Sequence, residues 1–383
     1  EKIFHILAEL KNREFSKVEM ESIETELDNL NLKSNPKDKK KFFKKSNNMY
    51  SSKISGVGHY VPENVVTNDD LSKVMETNDA WIQERTGIQE RRHIKEGDGN
   101  NTSIMGAKAS RIAMQRAGVT PQDIDLIIFA TLSPDMYFPG GGVQLQELLE
   151  MNTVPALDVR NQCSGFVYSL SVADQFIKTG MYKNVLVVGS ENHSGGLDFT
   201  TRGRSVSVIF GDGAGAVVVS RNHRETGGIL STHLHSEGKH KDELALQGPS
   251  TGHWVPELLA NNPQEDIPYF PYMNGPFVFK HAVVRFSEVI HEGLQANGIS
   301  TEDIDMLIPH QANLRISQFI QKKMQLPDSK VFNNIQKYGN TTAASIPIAL
   351  SEAWEQGKIK EGDLVVLAAF GSGFTWGSAI ISW

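Results

Sequence analysis

The chain has 383 residues, 39% of them hydrophobic and 22% charged, and carries a formal net charge of −7. That length supports a full core and two or three domains, the acidic balance argues against a general nucleic-acid binder, and no run reaches the roughly 18 apolar residues needed to span a membrane. The single cysteine, Cys163, excludes intramolecular disulfides and a cysteine-rich zinc site, and fits a reducing, cytoplasmic compartment.

Residues 1–48 differ from the rest of the chain. Apolar residues recur at helical spacing over 3–30, and 31–48 hold seven lysines and one aspartate, which reads as a solvated linker. The polar, charged start shows no secretory signal. From residue 53, short β-rich runs alternate with helical stretches. Lys53–Val57 reads as a strand, Ser103–Ala117 as a helix ending at Gly118, and Leu126–Thr131 as a buried strand. Pro155–Val159 and Asn184–Gly189 read as strands on either side of a helix over Ser164–Thr179. This alternation predicts an α/β architecture with partly parallel sheets.

An internal repeat sharpens that expectation. AGVTPQDIDLII begins at Ala117, and NGISTEDIDMLI begins at Asn297. The run from Gly180 into Val185–Val188 resembles the run from Gly357 into Leu364–Leu367 at nearly the same offset. Two copies of one α/β unit are expected, 49–220 and 221–383, with a helix over 344–357 matching the one over 164–179. Such a duplication brings two equivalent helix N-termini to one central place, with Cys163 at the first and Asn340 just before the second.

Three segments carry candidate chemistry. In ALDVRNQCSGFVY a strand ends, a polar turn follows, and Cys163 opens a helix. Such an elbow exposes a nucleophile, and a helix N-terminus favours thiolate over thiol. A lone cysteine is otherwise a small buried hydrophobe. In MLIPHQANLR a strand runs into His310, placed to face a crevice, with Asn313 read either as a site residue or as a helix cap. In YGNTTAASIP a turn carries Asn340, whose plainer reading is a turn residue or N-cap. Two glycine clusters, FGDGAGA before a strand at Val217–Val219 and FGSGFTWG after one at Leu364–Ala369, fit neither a phosphate loop nor a dinucleotide fingerprint.

Taken together, QCSGF, PHQANLRI, GNTTAASIP, FGDGAGA, AFGSGFTWGSA and WIQERTGI at 81–88 resemble the β-ketoacyl-acyl carrier protein synthase III family of the thiolase-like superfamily, over residues 53–383. The resemblance implies a five-layer αβαβα fold built from two similar halves, and a homodimer. It implies a decarboxylative condensation of acyl-CoA with malonyl-acyl carrier protein, needing no metal or other cofactor. Cys163 would be the acylated nucleophile, and His310 with Asn340 would stabilise the enolate. The backbone N–H groups of Cys163 and Ser372 would form the acylation oxyanion hole. Ser372 stands where the family has glycine, and its side chain is expected to reshape the pocket. Trp81 and Arg202 match residues that sandwich the coenzyme A adenine, and Arg85 lies in the same WIQERTGI segment as Trp81. Here TTRGR replaces the commoner TDRGT. Asn313 is expected at the substrate, Arg315 at the carrier protein, and Phe138 in the partner subunit's acyl pocket. The long aromatic stretch 241–275, with Trp254, Tyr269, Phe270 and Tyr272, suggests a nonstandard acyl chain.

Two alternatives stand beside this. Papain-like peptidases run Cys, His, Asn in the same order, and the gap from Cys163 to His310 suits them, though their C-G-S/A-C-W/Y signature is absent. A synthase III relative making a secondary metabolite would share every residue above.

Overall fold

The computed structural model describes residues 50–224, 226–248, 250 and 270–383. The expected helix and linker of 1–48 lie outside the described residues, as do Trp254 and Tyr269. Among the described residues, nine of the strands make the two large sheets. The first holds β1 (Ser51–Tyr60), β2 (Leu126–Ala130), β3 (Ala156–Val159), β4 (Asn184–Glu191) and β5 (Gly213–Asn222), in the order β1-β5-β4-β2-β3. The second holds β6 (Gly228–Ser236), β7 (Met306–Pro309), β8 (Leu364–Gly371) and β9 (Thr375–Ser382), in the order β6-β9-β8-β7.

The repeat read from the sequence appears in this topology. β1-β5-β4-β2 and β6-β9-β8-β7 share order and orientation: antiparallel, antiparallel, then parallel. β2 and β7 are preceded by equivalent 3₁₀ turns, Pro121–Asp123 and Thr301–Asp303, each with a hydroxyl–aspartate capping box. Those boxes arise from the repeated Thr/Ser-x-x-Asp spacing. β5 runs to Asn222 and β6 starts at Gly228, so the junction between sheets falls just past the expected 220/221, inside one compact unit, Met49–Trp383.

Five helices position the site: α1 (Thr102–Ala117), α2 (Gly165–Lys178), α3 (Gly275–Ala296), α4 (Leu314–Lys323) and α5 (Ser345–Glu355). Strand alternation assigns the layers. Leu126 and Ile128 of β2 pack with Phe166, Leu170 and Ile177 of α2 and Ile346, Leu350 and Ala353 of α5; Val365, Leu367 and Ala369 of β8 join from the other side. Ile127 and Phe129 face outward onto α1, and Val366, Ala368 and Phe370 face α3. The result is α1, first sheet, α2 with α5, second sheet, and α3 with α4: five layers of thiolase-like kind. Strands covered on both faces must be apolar throughout, which explains LIIFA.

One expectation is corrected. Two of the three glycines of FGDGAGA, Gly213 and Gly215, lie within β5 rather than before a strand at Val217–Val219. A Cβ on Gly215 would stand 2.7 Å from the Ile348 nitrogen, so glycine is what lets α5 lie directly on this strand. The layered sheets also leave no place, among the described residues, for the helical and barrel lobes of a papain-like peptidase.

Candidate active site

Cys163, His310 and Asn340, far apart in the chain, line one cavity of about 350 Å³. Its mouth is bordered by Trp81, Arg85 and Arg315, and its wall by apolar residues of α3 such as Val278, Phe279 and Phe286.

Cys163 sits in a 3₁₀ turn, Gln162–Ser164, that leads into α2. Gln162 before it has φ of 44°, a left-handed conformation that costs a non-glycine residue on the order of 1 kcal/mol or more and turns the elbow sharply. The backbone N–H groups of Ser372 and of Cys163 lie where they favour negative charge on Sγ. Gly371 makes this possible, because any Cβ there would stand 2.5 Å from the Cys163 Cβ. The Ser372 hydroxyl turns to the Leu244 carbonyl, so its side chain is tied to a cavity-lining residue. The expected thiolate is not the resting form. Burial, followed by the Glu191 carboxyl, pushes the thiol up to about 12, and the two N–H donors only partly oppose this. Desolvation of a charge outweighs a helix terminus here.

His310 follows Pro309 at the end of β7, and its N–H extends the ladder to the Ala368 carbonyl (2.8 Å). Nδ1 is 2.6 Å from Ser345 Oγ, while Nε2 is buried without a hydrogen-bond partner among the described residues. Burial lowers its pKa to about 3, so the imidazole is neutral. Asn340 follows Gly339, whose φ of 64° and close approach to the Ile209 carbonyl require glycine. Its backbone is held by Ile209 and Gly211, and its Oδ1 accepts the Thr342 N–H at 2.8 Å. That leaves Nδ2 as the donor for a ligand. The site therefore offers a thiol beside two N–H groups, and neutral imidazole and carboxamide nitrogens with unused hydrogen-bonding capacity: equipment for acyl transfer and for stabilising a developing oxyanion.

The remaining candidates divide. Arg85 and Arg204 both lie over the Trp81 ring, at 4.5 and 4.9 Å. Arg202, expected opposite Trp81, pairs with Asp198 and lies over Phe270. Asn313 lines the cavity, but its carboxamide caps α4 through the Arg315 N–H and donates to the Arg85 carbonyl, which favours the capping reading. Arg315 is exposed at the rim, near Phe279. Phe138 is 82% exposed beside exposed Met136 and Tyr137, away from this chain's own cavity lining. Among the described residues no group of three or more His, Cys, Asp or Glu could hold a metal ion, and no helix is long and apolar enough to cross a membrane.

Sequence reasoning passed over Gly371, Ser345, Glu191 and Arg204. Glu191, fully buried at the end of β4, accepts from Thr131, Leu132, Ser133 and the Ala343 N–H, and burial raises its pKa to about 7. The internal repeat could have paired Gly371 with Glu191, and the departure TTRGR could have singled out Arg204.

Residues 157–238 match the 3-oxoacyl-[acyl-carrier-protein] synthase III family profile, and residues 294–383 its C-terminal counterpart. The chain is 47% identical to beta-ketoacyl-[acyl-carrier-protein] synthase III of Rhodospirillum centenum over 336 residues, 87% of this chain and 99% of that one. It is 46% identical to the enzyme of the same name from Alkalilimnicola ehrlichii, with the same coverage. Among solved structures, the 3-oxoacyl-[acyl-carrier-protein] synthase III of Aquifex aeolicus superposes with a TM-score of 0.79 at 43% identity, covering 87% of this chain and all of that one. The priming β-ketosynthase of the R1128 polyketide pathway superposes at 0.78 with 29% identity, covering 87% and 96%.

Proposed function

The chain belongs to the beta-ketoacyl-[acyl-carrier-protein] synthase III family, and from that premise we propose that it condenses an acyl group from acyl-CoA with malonyl-acyl carrier protein, opening fatty acid synthesis. Cys163 Sγ attacks the acyl thioester carbonyl. The tetrahedral oxyanion rests on the N–H groups of Cys163 and Ser372. The carbon–sulfur bond to coenzyme A breaks, and the thiol proton ends on the departing CoA sulfur. Malonyl-acyl carrier protein then enters and loses CO₂, and the enolate oxygen is held by His310 Nε2 and Asn340 Nδ2. The enolate carbon attacks the acyl-cysteine, the carbon–sulfur bond breaks, and 3-oxoacyl-acyl carrier protein forms with a cysteine thiolate that takes a proton from water to restore the thiol. Two half-reactions replace one hard step, and no redox or metal cofactor enters.

The observation that carries this reading is the shared cavity: a thiol beside backbone N–H groups that favour negative charge, and two neutral side-chain nitrogens with bonding capacity to spare. Trp81 with its flanking arginines suits a nucleotide at the mouth, and exposed Arg315 suits an acidic carrier protein. The exposed Met136–Phe138 loop supports a homodimer in which Phe138 completes the partner subunit's acyl pocket. The halves 49–220 and 221–383 then supply the nucleophile and the two donors respectively, and the free thiol suits the cytoplasm. Incubation with labelled acyl-CoA should place the label on Cys163 by mass spectrometry; an unlabelled wild-type protein would reject the enzyme reading. A screen of acyl-CoA primers against malonyl-acyl carrier protein then separates fatty-acid initiation from polyketide priming.

A further inference from the structure

His310 has two nitrogens with opposite surroundings. Nε2 is buried and unpaired among the described residues, Nδ1 lies 2.6 Å from Ser345 Oγ, and the residue lines the cavity. The proton of a neutral imidazole sits on one nitrogen only, and the hydrogen bond at the other decides which. The Ser345 oxygen already receives the Gln311 N–H at 3.4 Å. Among the described residues the one bonded group able to accept its own hydrogen is Nδ1. The hydroxyl therefore donates, Nδ1 accepts, and the imidazole proton stays on Nε2.

The duplication supplies an internal control. At the offset that relates Ala117 to Asn297, His310 and Ser345 correspond to Ala130 and Gly165. A Cβ on Gly165 would stand 3.2 Å from the Ala130 Cβ, so the two positions face each other in both halves. The first half fills them with groups that cannot hydrogen-bond. The polar pair stands only in the half that supplies the histidine.

We propose that Ser345 is a positioning residue: its hydroxyl donates to Nδ1 of His310, fixes the proton on Nε2, and so makes His310 a hydrogen-bond donor to the enolate rather than a base toward Cys163. This rests on the condensing reading above. The proton does not leave the imidazole during decarboxylation; CO₂ departs with its bonding pair left on the carbon, and the charge reaches the oxygen facing Nε2–H.

The test begins with wild-type protein carrying ¹⁵N-histidine, its His310 signals assigned by their loss in His310→Asn. Long-range ¹H–¹⁵N spectra between pH 6 and 8 should show Nδ1 unprotonated and Nε2 protonated. Ser345→Ala should give a mixed or reversed tautomer and slow malonyl-thioester decarboxylation at least about tenfold, part of the effect of losing a whole oxyanion donor. Acylation of Cys163 by acyl-CoA should stay within about twofold, and Ser345→Thr should restore the tautomer. A wild-type Nδ1–H signal would overturn the proposal, whether or not Ser345→Ala folds. An unchanged tautomer with unchanged decarboxylation in Ser345→Ala would also overturn it. Failure of the condensing reading is separate: it would appear as absent acylation in wild type, whatever the tautomer.

Discussion

Replacing Gly371 by alanine tests the contact on which the nucleophile's environment depends. The new Cβ would stand 2.5 Å from the Cys163 Cβ, 2.9 Å from Sγ and 3.2 Å from the Cys163 nitrogen. Carbon atoms rest at about 3.5–4.0 Å, so the shortest contact is about 1 Å too close. Neither side yields cheaply. Gly371 closes β8 in register with Thr375, and Cys163 follows the left-handed Gln162 in a 3₁₀ turn. A shift of about 1 Å at a reacting atom costs on the order of 100-fold in rate, and overpacking of this kind destabilises by about 1–3 kcal/mol. Gly371→Ala should therefore lose at least about 100-fold in Cys163 acylation, followed by mass spectrometry over time. Its melting temperature should fall by a few degrees and its circular dichroism stay native. Acylation at the wild-type rate would show that elbow and loop do not press on each other, and the proposed oxyanion hole would lose its basis.

Other substitutions separate the two half-reactions. His310→Ala and Asn340→Ala should each slow malonyl decarboxylation by about 10²–10³, measured as CO₂ release, while acylation persists; equal losses in both steps would place them wrongly. Arg315→Glu should raise KM for malonyl-acyl carrier protein and leave acyl-CoA saturation alone, and an effect on acyl-CoA instead would move the carrier contact elsewhere. Glu191→Gln should speed alkylation of Cys163 by iodoacetamide near pH 9, because it removes a charge that helps raise the thiol pKa; an unchanged rate would leave burial as the sole cause. Acid should weaken the fold. Burial holds His310 near 3 and His193 near 4, so each contributes stability above the unfolded value near 6.5 and loses about 2 kcal/mol by pH 5. Glu191, raised to about 7, gains about one histidine's worth over the same interval. The urea midpoint should fall between pH 7 and 5 by the equivalent of about 2 kcal/mol, and a flat midpoint would contradict these assignments.

Much of the fold was legible because burial writes itself into composition. LIIFA and LVVLAA are apolar on both faces, and the repeated Thr/Ser-x-x-Asp boxes mark the approach to equivalent strands. The catalytic candidates were legible because nucleophile and histidine each sit where a strand gives way to a turn or helix, and the asparagine sits in a turn that leads into one. Less legible were effects that depend on what lies across space. Nothing near Cys163 in sequence reveals that Glu191 stands close to it, so the helix terminus alone pointed to a thiolate where burial leaves a thiol. Arg202 and Arg204 differ by two positions on one short turn, and only the packing shows that Arg204 reaches Trp81 while Arg202 reaches Asp198 and Phe270. Asn313 reads equally as ligand or cap until both ends of its carboxamide find partners.

The duplication also explains why the proposed chemistry falls at one of two equivalent places. Gln162 and Thr342, which correspond in the repeat, share a left-handed conformation, and α2 and α5 each follow a 3₁₀ turn. Both turns present backbone N–H groups that favour negative charge. In the second half, Ala343 stands where Cys163 stands in the first, and its N–H is taken by the carboxyl of Glu191. The residue that corresponds to Glu191 is Gly371, which has no side chain to send toward Cys163. One terminus is thus filled by the protein's own acid. The other is kept clear by a glycine, and its two N–H groups face a sulfur that is uncharged at rest. In the proposed reaction negative charge arrives there only when a thioester carbonyl is attacked, which is when donors already in place lower the barrier most.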